Sequence, residues 1–360
     1  MTSRQPLFRQ AGLLVVVFVA TFVLLAGAAA LLGQRGARPA VAGPSIGAAS
    51  PSSIAVGSGS SGPSSVPSAS GAGSSVAPPA SGPAASGPTP SQPPDVVLLG
   101  AGDIAACGFD SDEETSNLLV DQPGTIFTAG DNAYPDGTKE NFASCYRPSW
   151  GRVLDRTTLP AAGNHDWNTP GAAGYLAYFG AAAAPEGKTW YSKDLGAWHV
   201  IVLDSNCAKV GGCTADSRQG RWLAADLAAH ADARCTLAIW HHPRFSSGEH
   251  GNDPSVGPFW NQLVAARADL VINGHDHDYE RFAPQNAAGK EDRKTGVREI
   301  VVGTGGAGLR TFPTVAANSE IRLAGELGIL RLNLHVANYD WEFLPVTPGA
   351  ITDYGSALCH

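Results

Sequence analysis

Five stretches of this chain end an apolar run and then place side chains that can bind a metal. They are Gly102-Asp103, Gly130-Asp131-Asn132-Ala133-Tyr134, Gly163-Asn164-His165-Asp166, His241-His242-Pro243 and Gly274-His275-Asp276-His277. Collected, Asp103, Asp131, Tyr134, Asn164, His241, His275 and His277 offer two carboxylates, a phenolate, an amide and three imidazoles. Oxygen and nitrogen donors without thiolate suit iron, manganese or zinc. One ion rarely takes this many protein ligands, whereas two ions sharing a bridging carboxylate take four donors each. Two cations roughly 3.5–4 Å apart clamp the attacking and leaving oxygens of an in-line displacement, the geometry of phosphoester hydrolysis. They also lower the pKa of a bound water. Taken singly, Asp131 also fits a turn residue, Tyr134 a packed aromatic, and His275 with His277 a solvated loop pair. Recurrence at the ends of several apolar runs carries the metal reading.

The runs that deliver these residues read as strands: 96–101, 125–129, 157–162, 236–240 and the run through Val271. Two more strands are expected at 198–203 and 299–302, and 330–343 alternates as an antiparallel hairpin does. Between them, Ser111 with Glu114 fits a capping box ahead of Leu118 and Leu119. A helix over 217–231 turns Trp222, Leu223 and Leu227 inward, and another covers about 258–268. Alternating strands and helices predict an α/β domain with substantially parallel pairing and helices on its faces. Ligands in such domains sit outside the carboxyl ends of the strands, where every one of these motifs falls.

The rest of the chain divides by composition. Residues 1–32 contain an uncharged apolar run from 11 to 32 behind Arg4 and Arg9, long enough to cross a hydrocarbon core of about 30 Å. It reads as a cleaved signal or a retained membrane anchor, and the anchor is favoured because the run exceeds a signal core. Residues 33–94 are Ala, Gly, Ser and Pro with scarcely an aromatic or charge, a composition that cannot repay chain entropy and serves as a linker. Residues 95–360 then form one catalytic-type domain, placed outside the cytoplasm by the basic leading segment. All six cysteines lie there, which suggests disulfides, Cys207 with Cys213 being the preferred local pair. The net charge of -8 excludes a basic nucleic-acid surface. An anionic substrate must be drawn by something local.

The ordered blocks Gly-Asp, Gly-Asp-x-x-Tyr, Gly-Asn-His-Asp, His-x-Pro and Gly-His-x-His resemble the calcineurin-like metallophosphoesterase superfamily, and within it the purple acid phosphatase branch. The resemblance covers roughly residues 96–343. The general superfamily carries Asp-x-His in the first block; here Ile104 and Ala105 follow Asp103, and Tyr134 would stand in for the missing histidine. The resemblance implies a four-layer sandwich of two mixed β-sheets flanked by helices. It further implies Fe(III) held by Asp103, Tyr134 and His277, and a divalent ion (Fe, Zn or Mn) held by Asn164, His241 and His275, with Asp131 bridging. His165 would be the general acid, Asp166 would orient it, and His250 would face the substrate. The expected activity is hydrolysis of phosphomonoesters of small molecules or peptides by a hydroxide made available at the metal pair. Phosphodiester or nucleotide cleavage is the alternative within the same chemistry, and a non-catalytic surface module the alternative outside it. Plant-type relatives also carry an N-terminal β-sandwich, where this chain has linker. Gly303, Gly305 and Gly306 fit either a plain turn or a backbone approach to phosphate, and Arg281 fits a structural ion pair.

Overall fold

The computed structural model describes residues 93–360; the expected signal or anchor segment and nearly all of the expected linker lie outside the described residues. Two mixed sheets form the body. The first runs in the order Tyr354–Leu358, Asn338–Pro345, Gly328–Leu334, Val96–Ala101, Thr125–Ala129, Thr157–Ala161. Its last three strands are parallel, and Gly328–Leu334 with Asn338–Pro345 is the expected antiparallel hairpin, Leu330 opposite Phe343. The second runs Ser319–Leu323, Tyr279–Phe282, Arg298–Val302, Leu270–Asn273, Cys235–Ile239, Trp198–Val202, Tyr191–Leu195, with four parallel strands at its centre.

Strand alternation sorts the side chains into layers. Val200, Val202, Leu237, Ile239, Leu270 and Ile272 join Leu98, Ile126 and Leu159 of the first sheet in one fully buried cluster between the sheets. The intervening Ile201, Ala238 and Val271 face the other way, against Leu223 of helix Arg218–Ala229 and Phe259, Trp260 and Leu263 of helix Gly257–Ala265. Helix Ser111–Val120 forms at the expected place, but the capping box does not. Its first helical residue is Ser111 itself, and the capping position falls to Asp110, which makes no side-chain cap. Helix Arg218–Ala229 is capped as its sequence suggests, Ser217 accepting from the Gly220 amide at 3.0 Å.

All six cysteines pair: Cys107 with Cys145, Cys207 with Cys213 and Cys235 with Cys359. His199 is a satisfied core residue, its ring held between Asp194 and Asp226 at 2.9 Å on each side. Arg281 is a structural ion pair. Its Nε and Nη2 fork onto Asp353 at 2.6 and 3.0 Å, and Tyr279 and Trp341 donate to the same carboxylate. Removing the cation leaves that carboxylate buried without its counter-charge. Arg281→Ala should therefore cost about 3–5 kcal/mol, measured as a lowered denaturation midpoint; a loss below about 1 kcal/mol would mean a solvated pair instead.

Candidate metal centre

The parallel strands of both sheets deliver their loops to one edge, and there the seven donors meet. Tyr134 Oη lies 2.9 Å from Asp103 Oδ1, 3.1 Å from Asp131 Oδ2 and 3.2 Å from His277 Nε2. His241 Nε2 lies 3.0 Å from Asn164 Oδ1, 3.2 Å from His275 Nδ1 and 3.3 Å from Asp131 Oδ2. The donors sort into two quartets that share one oxygen, Asp131 Oδ2. Donor atoms about 3 Å apart match the spacing imposed by metal–ligand bonds of about 2.0–2.2 Å.

The backbone is shaped for this convergence. Asp103, Asp131 and His275 each follow a glycine and each adopts a positive φ, of 58°, 50° and 73°. That conformation is uncommon outside glycine and clusters at functional sites. Glycines just before Asn164 and His275 give the carboxylates room: a Cβ on Gly163 would fall 2.1 Å from Asp131 Oδ1, and one on Gly274 would fall 2.6 Å from Asp103 Oδ2. Main-chain groups complete the set. His241 Nδ1 lies 2.9 Å from the Ala129 carbonyl and His277 Nδ1 lies 2.7 Å from that of Gly308, contacts that assign the proton to Nδ1 and turn both Nε2 lone pairs into the cluster. The amides of His165 and His275 donate to Asp131 Oδ1 and Asp103 Oδ2 at 2.8 and 2.7 Å, orienting the two carboxylates.

Electrostatically the cluster is short of protons. Burial raises the Asp131 carboxyl, yet His241 and His165 more than offset this and hold it well below the usual carboxylate range. Burial opposes charge on His241, but Asp131 reverses the balance and lifts its pKa to about 9. Burial and the neighbouring His241, His242 and His250 drive His275 far down, into the neutral form that ligates. Burial, Asp103 and Asp131 push the Tyr134 phenol well above 10. One proton on Tyr134 Oη and one on His241 Nε2 cannot satisfy the acceptors crowded around each. A cation in each quartet satisfies all of them and reverses the cost of ionising the phenol. The donor set therefore fits a metal pair.

His165 stands at the rim, its Nε2 3.9 Å from Asp131 Oδ2 and its ring 4.3 Å from that of Tyr134. Its partner differs from expectation. Asp166 is fully buried and turned away, accepting from the Gly163 amide and the Asn132 side chain at 2.9 Å each, with burial raising its carboxyl to about 7. The His165 ring is instead oriented by the Pro135 carbonyl at Nδ1, so Asp166 braces the loop and does not steer the imidazole. The ring of His250 is stacked on that of His275 at 4.2 Å, and its Nε2 is engaged by Arg310. His242 is not a member of either quartet; its Nδ1 lies 2.8 Å from Ser205 Oγ. Gly303 and Gly305 pack beneath the first ligand loop, the Gly305 amide on the Gly102 carbonyl at 2.9 Å, which settles them as close-packing positions.

Three buried carboxylates hold the 244–250 loop against the ligand strands. Glu299 takes the amides of Arg244 and Phe245, Glu280 takes the amide of Ser247, and Asp276 takes the amide of His250. These supports, the three carbonyls and Arg310 were not singled out by the sequence motifs. Of these, Glu280 lies in the run after His277 that the resemblance marks as framework, and Asp276 stands inside the last motif without a role assigned to it.

The chain matches the calcineurin-like phosphoesterase family over residues 87–279. An uncharacterized protein of Mycobacterium tuberculosis is 32% identical over 164 residues, 39% of this chain and 30% of that one. Purple acid phosphatase 15 of Arabidopsis thaliana is 26% identical over 234 residues, 55% of this chain and 43% of that one. The chain thus spans less than half the length of these relatives. The solved structure of a purple acid phosphatase from yellow lupin shares the fold with a TM-score of 0.57 at 18% identity, covering 75% of this chain and 55% of that one. The fold and the shared-carboxylate site define a metallophosphoesterase scaffold. The chain belongs to the calcineurin-like phosphoesterase family.

Family membership implies two metal ions, and the shared Asp131 oxygen makes their binding interdependent. Asp131→Ala should lose both ions from the purified protein, whereas His275→Ala should lose one. Metal analysis that finds about two equivalents in the Asp131 variant would remove the shared ligand from the account.

Proposed function

We propose that this chain is an exported, metal-dependent phosphatase that hydrolyses phosphomonoesters, with Fe(III) in the Asp103–Tyr134–His277 quartet and a divalent ion in the Asn164–His241–His275 quartet. The observation that carries the reading is the pair of quartets meeting at one oxygen, with the His165 ring beside them. Two cations held there supply charge neutralisation for phosphoryl oxygens and a water of lowered pKa. The protein's own groups do the rest. Asp131 fixes the separation of the quartets. His165, its Nδ1 occupied by Pro135, keeps Nε2 free to carry a proton to the departing alkoxide, the part of a general acid. Burial together with His241, His242 and His250 holds His275 neutral, and His241 with His165 holds Asp131 ionised against its burial, so each is already in its ligating form. Three disulfides and the apolar leading segment support placement outside the cytoplasm, anchored or secreted. Cleavage of phosphodiesters would use the same centre, and relative rates on an aryl phosphomonoester and a bis(aryl) phosphodiester decide between them.

His165→Ala should keep its metals and lower monoester turnover by about 10²- to 10⁴-fold; an unchanged rate with metals in place would dismiss the proton-donor role. The iron assignment is read in the visible spectrum. Wild-type protein should show a tyrosinate-to-iron absorption band that Tyr134→Phe abolishes, and an iron-loaded wild type without colour would refute that assignment. A fully metallated chain that hydrolyses neither ester would overturn the phosphatase reading itself.

A further inference from the structure

The guanidinium of Arg310 has no part in either quartet, yet it is built into the same edge. Its backbone amide donates to the His277 carbonyl at 2.9 Å, which ties the residue to the ligand loop. Its Nη1 donates to His250 Nε2, and the His250 ring lies stacked on the His275 ring at 4.2 Å. The guanidinium thus sits at the edge of a ring whose face packs on a ligand of the second quartet. The carboxylate beside it, Glu249 Oε2, is 3.9 Å from Nη1, beyond hydrogen-bond reach. With a side chain 32% exposed, Arg310 presents its remaining N–H groups at the rim. Among the described residues, no other Arg or Lys side chain hydrogen-bonds a member of either quartet or His250.

The direction of the Arg310–His250 bond follows from chemistry. A guanidinium stays protonated and has no acceptor. Nε2 of His250 must then contribute its lone pair, and while it does so it cannot donate a proton to a substrate. The substrate-facing role expected of His250 passes to its neighbour. In a chain of net charge -8, a fixed cation beside the centre is also what a multiply charged anion needs in order to approach. We infer that Arg310 is a specificity-determining residue that binds the phosphoryl oxygens of a dianionic phosphomonoester in preference to a singly charged phosphodiester, with His250 as the positioning residue that holds the guanidinium in place. The inference rests on the phosphatase reading above for its reaction, but not for its binding chemistry. A planar fork of donors suits unsubstituted phosphoryl oxygens; a monoester dianion offers three of them and two charges, a diester two of them and one charge, so the preference comes from the extra charge and the third oxygen.

The test uses the full metal-loaded chain, with calorimetric titration of inorganic phosphate and steady-state kinetics on the two aryl esters. Arg310→Ala should weaken phosphate binding and raise KM for the monoester by about 10- to 100-fold. The kcat for the monoester and kcat/KM for the diester should change by less than about threefold, and metal content and thermal midpoint should hold. Arg310→Lys, which keeps the charge and loses the fork, should fall between. His250→Ala should lose phosphate affinity to a similar extent, and the double variant should lose no more than either single one, as for two residues acting as a unit. Unchanged phosphate affinity in Arg310→Ala, equal losses on both esters, or additive losses in the double variant would each overturn the assignment. If the wild type hydrolyses neither ester, the phosphatase reading fails, and the phosphate titration still decides the role of Arg310.

Discussion

One buried carboxylate sets the terms for the rest of this structure. Asp131 is 2% exposed, ionised, and placed so that a single oxygen faces both Tyr134 and His241. Its other oxygen is taken by the His165 amide. An isolated carboxylate in such a place would protonate. This one is kept charged by the imidazoles around it, and the crowd of acceptors on either side of it fits cations between the donors. The strands, turns and glycines of the domain can be read as the means of bringing five separated loops to that oxygen.

Convergence alone would leave the loops free to drift, and the positioning falls to groups that never touch a metal. Ala129 and Gly308 use their carbonyls to fix which nitrogen of His241 and of His277 faces the cluster. Asp276 sits between two ligands in the chain and points backward, to the 244–250 loop. The sequence His275-Asp276-His277 thus holds ligands for both quartets and, between them, the tether for the rim that carries His250 and, through it, Arg310. Strain at Asp103, Asp131 and His275 is tolerated because each is over-determined by such contacts.

How much of this was legible in the chain follows from the kind of group involved. The central strands were readable because they are buried on both faces, and most of them stop at a glycine just before the ligand. The edge strands Tyr191–Leu195 and Ser319–Leu323 were not, since the first has irregular burial and the second is half-buried throughout, and neither shows a period of two. The seven donors were readable from residue type and order. Their supports were not: a carbonyl from Ala129, Pro135 or Gly308 has no residue identity to read, and Arg310 lies beyond a strand and a glycine turn with no fixed spacing to its partner. Asp166 misled because adjacency to His165 suggested a partner, whereas successive residues in a turn point apart. Ser111 and Glu114 had the capping spacing, but the helix starts at Ser111 itself, one residue past the capping position.

The same physics bears on how heavily the scaffold is cross-linked. Without cations the quartets hold Asp103 and Asp131 buried beside a phenol and imidazoles, an arrangement that costs folding free energy because acceptors outnumber protons. The apo domain must draw its stability from elsewhere. The inter-sheet core and the Arg281–Asp353 fork supply part of it, and three cross-links supply more by restricting the unfolded chain, an effect that grows with the loop closed. Cys235–Cys359 closes a span of 124 residues, and Cys107–Cys145, spanning 38, ties the loop just after Asp103 to the segment Phe142–Tyr146. The second of these ties the chain shortly after Asp103 to a separate segment, so the exit of that ligand loop is covalently braced. Cross-links and an inter-sheet core of this kind favour donors that converge through the scaffold's own stability, so that binding free energy at the site need not drive folding.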